Sequence, residues 1–123
     1  MLAEKITTAI SLGPANTRVR DYADIYTLTG DQDISHSAAR RALIATASHR
    51  GTDVVALSSV IGDLIELRRR SYDAYRAGLG PDGAALPQEF ATVVQAVLAF
   101  ADRLTDAATP ATTWNGSTRL WIH

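Results

Sequence analysis

Lysine occurs once in this 123-residue chain, at Lys5, against eleven arginines. It stands in "LAEKITTAI", and the next segment, "NTRVRDYAD", brings Arg18, Arg20, Asp21 and Asp24 close behind. Two arginines at the start of a helix are unfavourable by themselves, since a first-turn cation forfeits roughly 0.3–1 kcal/mol against the macrodipole. Asp21 offsets part of that cost. The arrangement becomes favourable when an anion sits there, because free N–H groups, the dipole and the guanidinium forks then point at one phosphate. These residue types suggest an anion site made of Lys5, Arg18 and Arg20, with Asp21 and Asp24 as orienters or polar contacts. A competing reading has Lys5 lay its stem on apolar surface and pair with Asp24, pinning two helices together. Structural ion pairs of that kind are commoner than sites.

The elements that must position these groups are helices. The first covers roughly residues 1–12, with Leu2, Ile6, Ala9 and Ile10 on one face, and stops at Gly13-Pro14. Asn16 or Thr17 caps a second helix running to about Thr29, which "GDQD" breaks. The turn between them is short and favours antiparallel neighbours. Counting from that turn sets Lys5 opposite about Asp24, with Asp21 one turn along. That offset is roughly 4.5 Å at the helical rise per residue, within reach of a lysine stem. On its own helix Lys5 shares a row with Met1, Ala9 and Leu12, so it borders the apolar strip.

Ser35 is the expected cap of a third helix, 37–50, closed by Gly51. A fourth falls within 55–77, with an interruption near Gly62, and ends at "GLGPDG". Pro87 fits the first turn of a fifth, where Phe90, Val93, Val94, Val97, Leu98 and Ala101 recur at the spacing of one buried face. After Pro110 the tail "ATTWNGSTRLWIH" reads as irregular, with Trp114 and Trp121 folding it back onto the bundle to bury their indoles. The expected architecture is all-α: about five helices in a compact bundle, one helical domain over 1–123, with an irregular C-terminal tail.

Composition narrows the function. With 46% apolar and 20% charged residues the chain is ordinary globular material, and a net charge of −1 gives no global attraction to nucleic acid or acidic membranes. Any basic patch is local. Without cysteine there is no disulfide and no thiolate metal site. Apolar runs fall well short of the roughly 20 residues a membrane span needs. The start "MLAEKITTAI" carries Glu4 and Lys5 where a signal peptide would be apolar. No membrane partner and a cytoplasmic location are the expectations. His36, His49 and His123 do not stand at metal-ligand spacing.

The stretch "LAEKITTAISLGPANTRVRDYADIYTLTG" resembles the C-terminal motifs of the AbiEii/AbiGii family of nucleotidyltransferase toxins, whose members carry an "AEK" helix followed by "NTR-x-[RK]-D-[FY]-x-D". The likeness continues through His49-Arg50-Gly51, "LP-x-x-F" at Leu86 to Phe90, "V-x-x-F-A-D" at Val97 to Asp102 and Thr113-Trp114. The resemblance implies the C-terminal part of a nucleotidyltransferase-like α/β + α protein, the toxin of type IV toxin–antitoxin and phage-abortive systems. Such an enzyme moves a nucleotide from an NTP to the 3′ end of tRNA and stops translation. It implies Lys5 and Asp21 as catalytic residues, and Mg²⁺, NTP, tRNA and a cognate antitoxin as cofactor and partners of the complete enzyme.

The family's metal-binding Gly-Ser or Gly-Gly-Thr stretch, with its acidic residue, belongs to an N-terminal α/β half. "NGS" at Asn115 to Ser117 has no acidic residue after it and is no substitute. The expectation is that this chain by itself binds no metal and is inactive as a transferase, so whether it is an enzyme alone stays open. The alternative is a non-catalytic helical module, a toxin remnant binding antitoxin or RNA. Arg68 to Arg70 with Tyr72 and Tyr75 resembles basic–aromatic interleaving, yet on a helix these residues spread around the circumference and read as a solvated face. A helical ribonuclease with an Arg-x(4–6)-His motif is a weaker match, since seven residues separate Arg41 from His49.

Overall fold

The computed structural model describes residues 1–106 and 112–122. Pro110 and His123, which entered the sequence reading, lie outside them. Five α-helices run through the described residues: α1 (Leu2–Leu12), α2 (Val19–Asp31), α3 (His36–Arg50), α4 (Leu64–Gly78) and α5 (Phe90–Leu104). Between α2 and α3 lies a two-residue strand, β1 (Ile34–Ser35), and after α5 come β2 (Thr113–Asn115) and β3 (Leu120–Ile122).

The most apolar helix, α5, forms the centre. It presents Phe90, Val93, Val94, Val97, Phe100, Ala101 and Leu104 as one buried face. Helices α2, α3 and α4 pack on it, and α1 lies across α2 and α3. Ile6 and Ile10 of α1, Tyr22 and Ile25 of α2, Leu43 of α3 and Leu64 and Tyr72 of α4 complete the same core. Tyr72 stacks on Phe90 at 5.0 Å and Tyr22 meets the same ring edge-on at 6.0 Å, so the start of α5 is gripped by α2 and α4 together.

Several helix limits differ from the sequence expectation. Helix α2 extends through Gly30 to Asp31 instead of breaking at "GDQD". The stretch 55–63 is not helical apart from a 3-10 turn at Leu57–Ser59, and α4 starts only at Leu64, because Gly62 at φ +53° turns the chain in the left-handed region. Pro87 precedes α5, whose cap position is Glu89. Ser35 does cap α3, accepting from the N–H of Ala38 at 3.4 Å.

The irregular tail is the larger correction. It is a β-hairpin, and with β1 it makes a three-stranded antiparallel sheet ordered β1-β2-β3. Trp114 sits opposite Ile34 on one side and Trp121 on the other. The indole of Trp114 is fully buried, donates from Nε1 to the Thr29 carbonyl at 2.7 Å and meets Phe100 edge-on. Trp121 stacks on Phe100 at 5.2 Å. The aromatic pairs supply what strands of two or three residues lack in ladder length.

The turn that sets α1 against α2 depends on Gly13. It ends α1 at φ +53° and ψ −136°, and a Cβ there would stand 2.7 Å from the backbone carbonyl oxygen of Val60. A backbone oxygen cannot swing aside, and L side chains avoid that φ. Gly13→Ala is therefore expected to destabilise the fold by roughly 1–3 kcal/mol. Chemical denaturation against wild type checks it, and a loss within experimental error would show that the turn re-forms without strain.

Candidate functional site: a charged cleft between α1, α2 and α3

Because the Gly13 turn is tight, α1 and α2 return side by side, and Lys5 comes to lie over the first turn and a half of α2. Its ammonium contacts both aspartates: Nζ donates to Asp21 Oδ1 at 3.1 Å and stands 3.0 Å from Asp24 Oδ2. Asp21 is the buried member, 7% exposed at its side chain, while Asp24 is one-third exposed. Arg18, at the cap position of α2, reaches Asp21 Oδ2 through Nε at 3.0 Å. Arg20 faces Asp24 Oδ2 at 3.8 Å. Asn16, one of the two residues expected as the cap with Thr17, is buried and accepts from the Arg18 N–H at 2.8 Å, which fixes where the first arginine leaves the backbone.

These contacts differ in strength. A unit-charge pair at 4 Å gains about 4 kcal/mol at an effective dielectric of 20, a figure suited to Lys5 on the buried Asp21, whereas solvent at the one-third-exposed Asp24 screens its pair with Lys5. Pairs made by the exposed arginines are worth about 0.2–1 kcal/mol each. The frame is thus Lys5 on Asp21, with Asp24, Arg18 and Arg20 as a looser rim whose charged groups reach solvent. Partial burial alone would lower the Lys5 pKa, but hydrogen bonds and charges from Asp24 and Asp21 outweigh it and hold it above the usual 10.5. Lys5 is a fixed cation at neutral pH, suited to stabilising negative charge and unsuited to accepting a proton.

Lys5, Arg18, Arg20, Asp21 and Asp24 line one concavity of about 320 Å³, together with Met1, Glu4, Thr8 and Arg50. Arg50 was absent from the expected site. It leaves the end of α3 just before Gly51, at φ +67°, stops the helix, and its Nη1 donates to Thr8 Oγ1 at 2.8 Å and to the Glu4 carbonyl at 3.3 Å. Its only signal in the sequence was its place in "HRG", because nothing local says that α3 packs on α1. Four cations and three carboxylates surround the cleft, so it favours an anion.

Mg²⁺ does not fit here. Among the described residues no group of three or more His, Asp or Glu could hold a metal ion, and both cleft aspartates are already engaged by cations.

A family model described as nucleotidyl transferase AbiEii toxin, type IV TA system, matches residues 1–99. The chain belongs to the AbiEii family. No curated protein and no solved structure matches it. In this AbiEii chain the "AEK" helix and the "NTRVRDYAD" segment meet at one ammonium group.

Several other candidate contacts are engaged within the fold. Arg68 of the arginine run donates from Nε to the Asn16 carbonyl at 2.9 Å, tying α4 to the turn before α2, and Arg69 faces Glu66 at 3.6 Å. Tyr72 is buried with its hydroxyl on the Pro87 carbonyl, so it offers no ring for a base to stack on. His36 is buried and donates from Nε2 to the Arg103 carbonyl, and Arg40 donates to Leu104, so both satisfy the C-terminal carbonyls of α5. No described helix is long and apolar enough to cross a membrane.

The same burial sets the alkaline limit of the fold. Desolvation raises the Tyr22 and Tyr72 hydroxyls above their usual 10.0, and the buried Tyr22 hydroxyl has no hydrogen-bond partner among the described residues. For these tyrosines and for Lys5 the folded-state pKa lies above the unfolded value. Their contribution is therefore complete below about pH 10 and lost as the pH rises through the folded-state values. Thermal melting at intervals across pH 6 to 12 is expected to show Tm falling from about pH 10 upward; an unchanged Tm at pH 11 would contradict it.

Proposed function

We propose that this chain is the substrate-binding helical part of a nucleotidyltransferase toxin that adds nucleotides from NTP to the 3′ end of tRNA. In that reaction the terminal hydroxyl oxygen attacks the α-phosphorus and gives up its proton to solvent, the bond to the β-phosphate bridging oxygen breaks, and pyrophosphate leaves. Catalysis of such a step is almost wholly positioning and charge stabilisation. Lys5 is the catalytic cation, in direct contact with the phosphates, and Asp21 is the partner that aims it. Arg18 and Arg20 contact phosphate or the RNA backbone at the rim, with Asp24 beside them.

The observation that carries this reading is the double contact of Lys5 with Asp21 and Asp24 at the mouth of a net-cationic cleft. The engagement of both cleft aspartates by cations supports the further proposal that this polypeptide alone does not transfer nucleotides, the metal-binding carboxylates being supplied elsewhere in the complete enzyme. It also favours, as a second reading, a non-catalytic toxin remnant that binds RNA or a cognate antitoxin. Incubating the purified chain with tRNA and labelled NTPs tests the proposal: no label is expected in tRNA, and labelling that disappears in Lys5→Ala would overturn the insufficiency. Binding of triphosphate by the chain, weakened in Lys5→Ala, separates the substrate-binding reading from the remnant.

A further inference from the structure

We propose that Asp24 is a displaceable counter-ion, whose carboxylate occupies the place on Lys5 and Arg20 that a substrate phosphate takes over. It would thereby set how tightly, and how selectively, the cleft binds an anion. This rests on the reading of the cleft as a phosphate site and specifies how that site is kept at rest.

The two aspartates touch the same ammonium at nearly the same distance, yet they are not equivalent. Asp21 is almost fully buried and gives each oxygen its own cation, Oδ1 to Lys5 and Oδ2 to Arg18. Asp24 is one-third exposed and meets both of its cations, Lys5 at 3.0 Å and Arg20 at 3.8 Å, through the single oxygen Oδ2. Breaking the Asp21 contacts would strand a desolvated charge. Releasing Asp24 returns a partly solvated carboxylate to water at little cost.

A phosphate entering the concavity carries more charge than one carboxylate and can accept from Lys5, Arg20 and Arg18 together, all of which line it. Exchange therefore runs one way: Asp24 leaves and Asp21 remains to hold Lys5 in line. A singly charged anion gains too little to expel a carboxylate, so the resting ion pair selects for polyphosphates over common small anions.

Titration calorimetry of the full chain with inorganic tripolyphosphate, without divalent cations, tests this on wild type, Asp24→Asn and Asp24→Ser. Both variants are expected to bind about five- to tenfold more tightly, the effect of removing one unit charge roughly 4 Å from the anion in water-like surroundings. In wild type, carbon NMR should show the Asp24 carboxyl resonance moving with added tripolyphosphate while that of Asp21 holds, a readout that needs no variant. Wild-type binding with equal or weaker binding by both variants, or movement of Asp21 instead of Asp24, overturns the counter-ion role and leaves the phosphate site standing. No binding by wild type or by either variant removes the phosphate site and the counter-ion with it.

Discussion

Lys5→Ala is expected to lower nucleotide transfer by about 10²–10³-fold in an enzyme containing this chain together with its metal-binding part, the loss typical of deleting one preorganised charge-stabilising donor. The reason is placement. Among the described cations of the cleft Lys5 alone pairs with two carboxylates, through Asp21 Oδ1 and Asp24 Oδ2, so its ammonium is oriented before substrate arrives. A kept positive charge in a partly covered position is worth more to a developing anion than the solvent-screened guanidinium groups of Arg18 and Arg20, which are 60% and 76% exposed.

Lys5→Arg keeps the charge but not the shape. A planar fork cannot reproduce a compact ammonium between two carboxylates, so it should restore folding better than rate. Arg41→Ala, on an exposed position of α3, should change transfer little. Single-turnover rates on these variants decide the matter. A Lys5→Ala enzyme within a few-fold of wild type would reduce Lys5 to the helix-pinning role that its ion pairs also allow.

The largest stability effect is expected at the other end of the chain. Trp114→Ala should cost about 3–5 kcal/mol, the usual range for removing a buried aromatic side chain. Domains of this size are stable by only about 5–15 kcal/mol, so the variant should be close to unfolding at 37 °C. The indole touches Phe100 on α5 and Trp121 on β3, and its N–H satisfies the Thr29 carbonyl near the end of α2. It also occupies the middle of β2, the strand through which β1 and β3 are joined. Trp114→Phe keeps much of the apolar area and loses the hydrogen bond, leaving a buried carbonyl short of a donor for about 1–3 kcal/mol. Urea denaturation of both variants tests the ranking. A Trp114→Ala protein within 1 kcal/mol of wild type would mean that the hairpin contributes little to the fold.

The helices were legible because their periodicity is long and their punctuation strong. Phe90 through Ala101 recur at one-face spacing, and Gly13 and Gly51 each end a helix in a backbone region that other residues avoid. The pairing of Lys5 with the aspartates was legible for a related reason, since a tight antiparallel turn converts residue counting into distance. The hairpin was not. Strands of two and three residues show too little alternation to be told from a loop, and β1 lies 79 residues before β2. Asn115-Gly116 is a recognised hairpin pair, but here the chain needs the longer turn 116–119, with Arg119 at φ +55° and its guanidinium over the Tyr26 ring at 3.6 Å. Gly30, which α2 runs through on its way to Asp31, leaves the space that this guanidinium fills.

By itself the sequence determined that there are five α-helices and roughly where they lie, which single amine and which two carboxylates meet across the first turn, and which family the motifs resemble. These depend on contacts within about twenty residues, where rise per residue and turn length set the geometry. Tertiary structure alone decided that Arg50 joins the cleft from α3, that Tyr72 and Arg68 are structural, and that the tail closes the bundle as a sheet. Those outcomes depend on which apolar faces find each other across the core, a choice made by the packing of the whole chain that no local pattern contains.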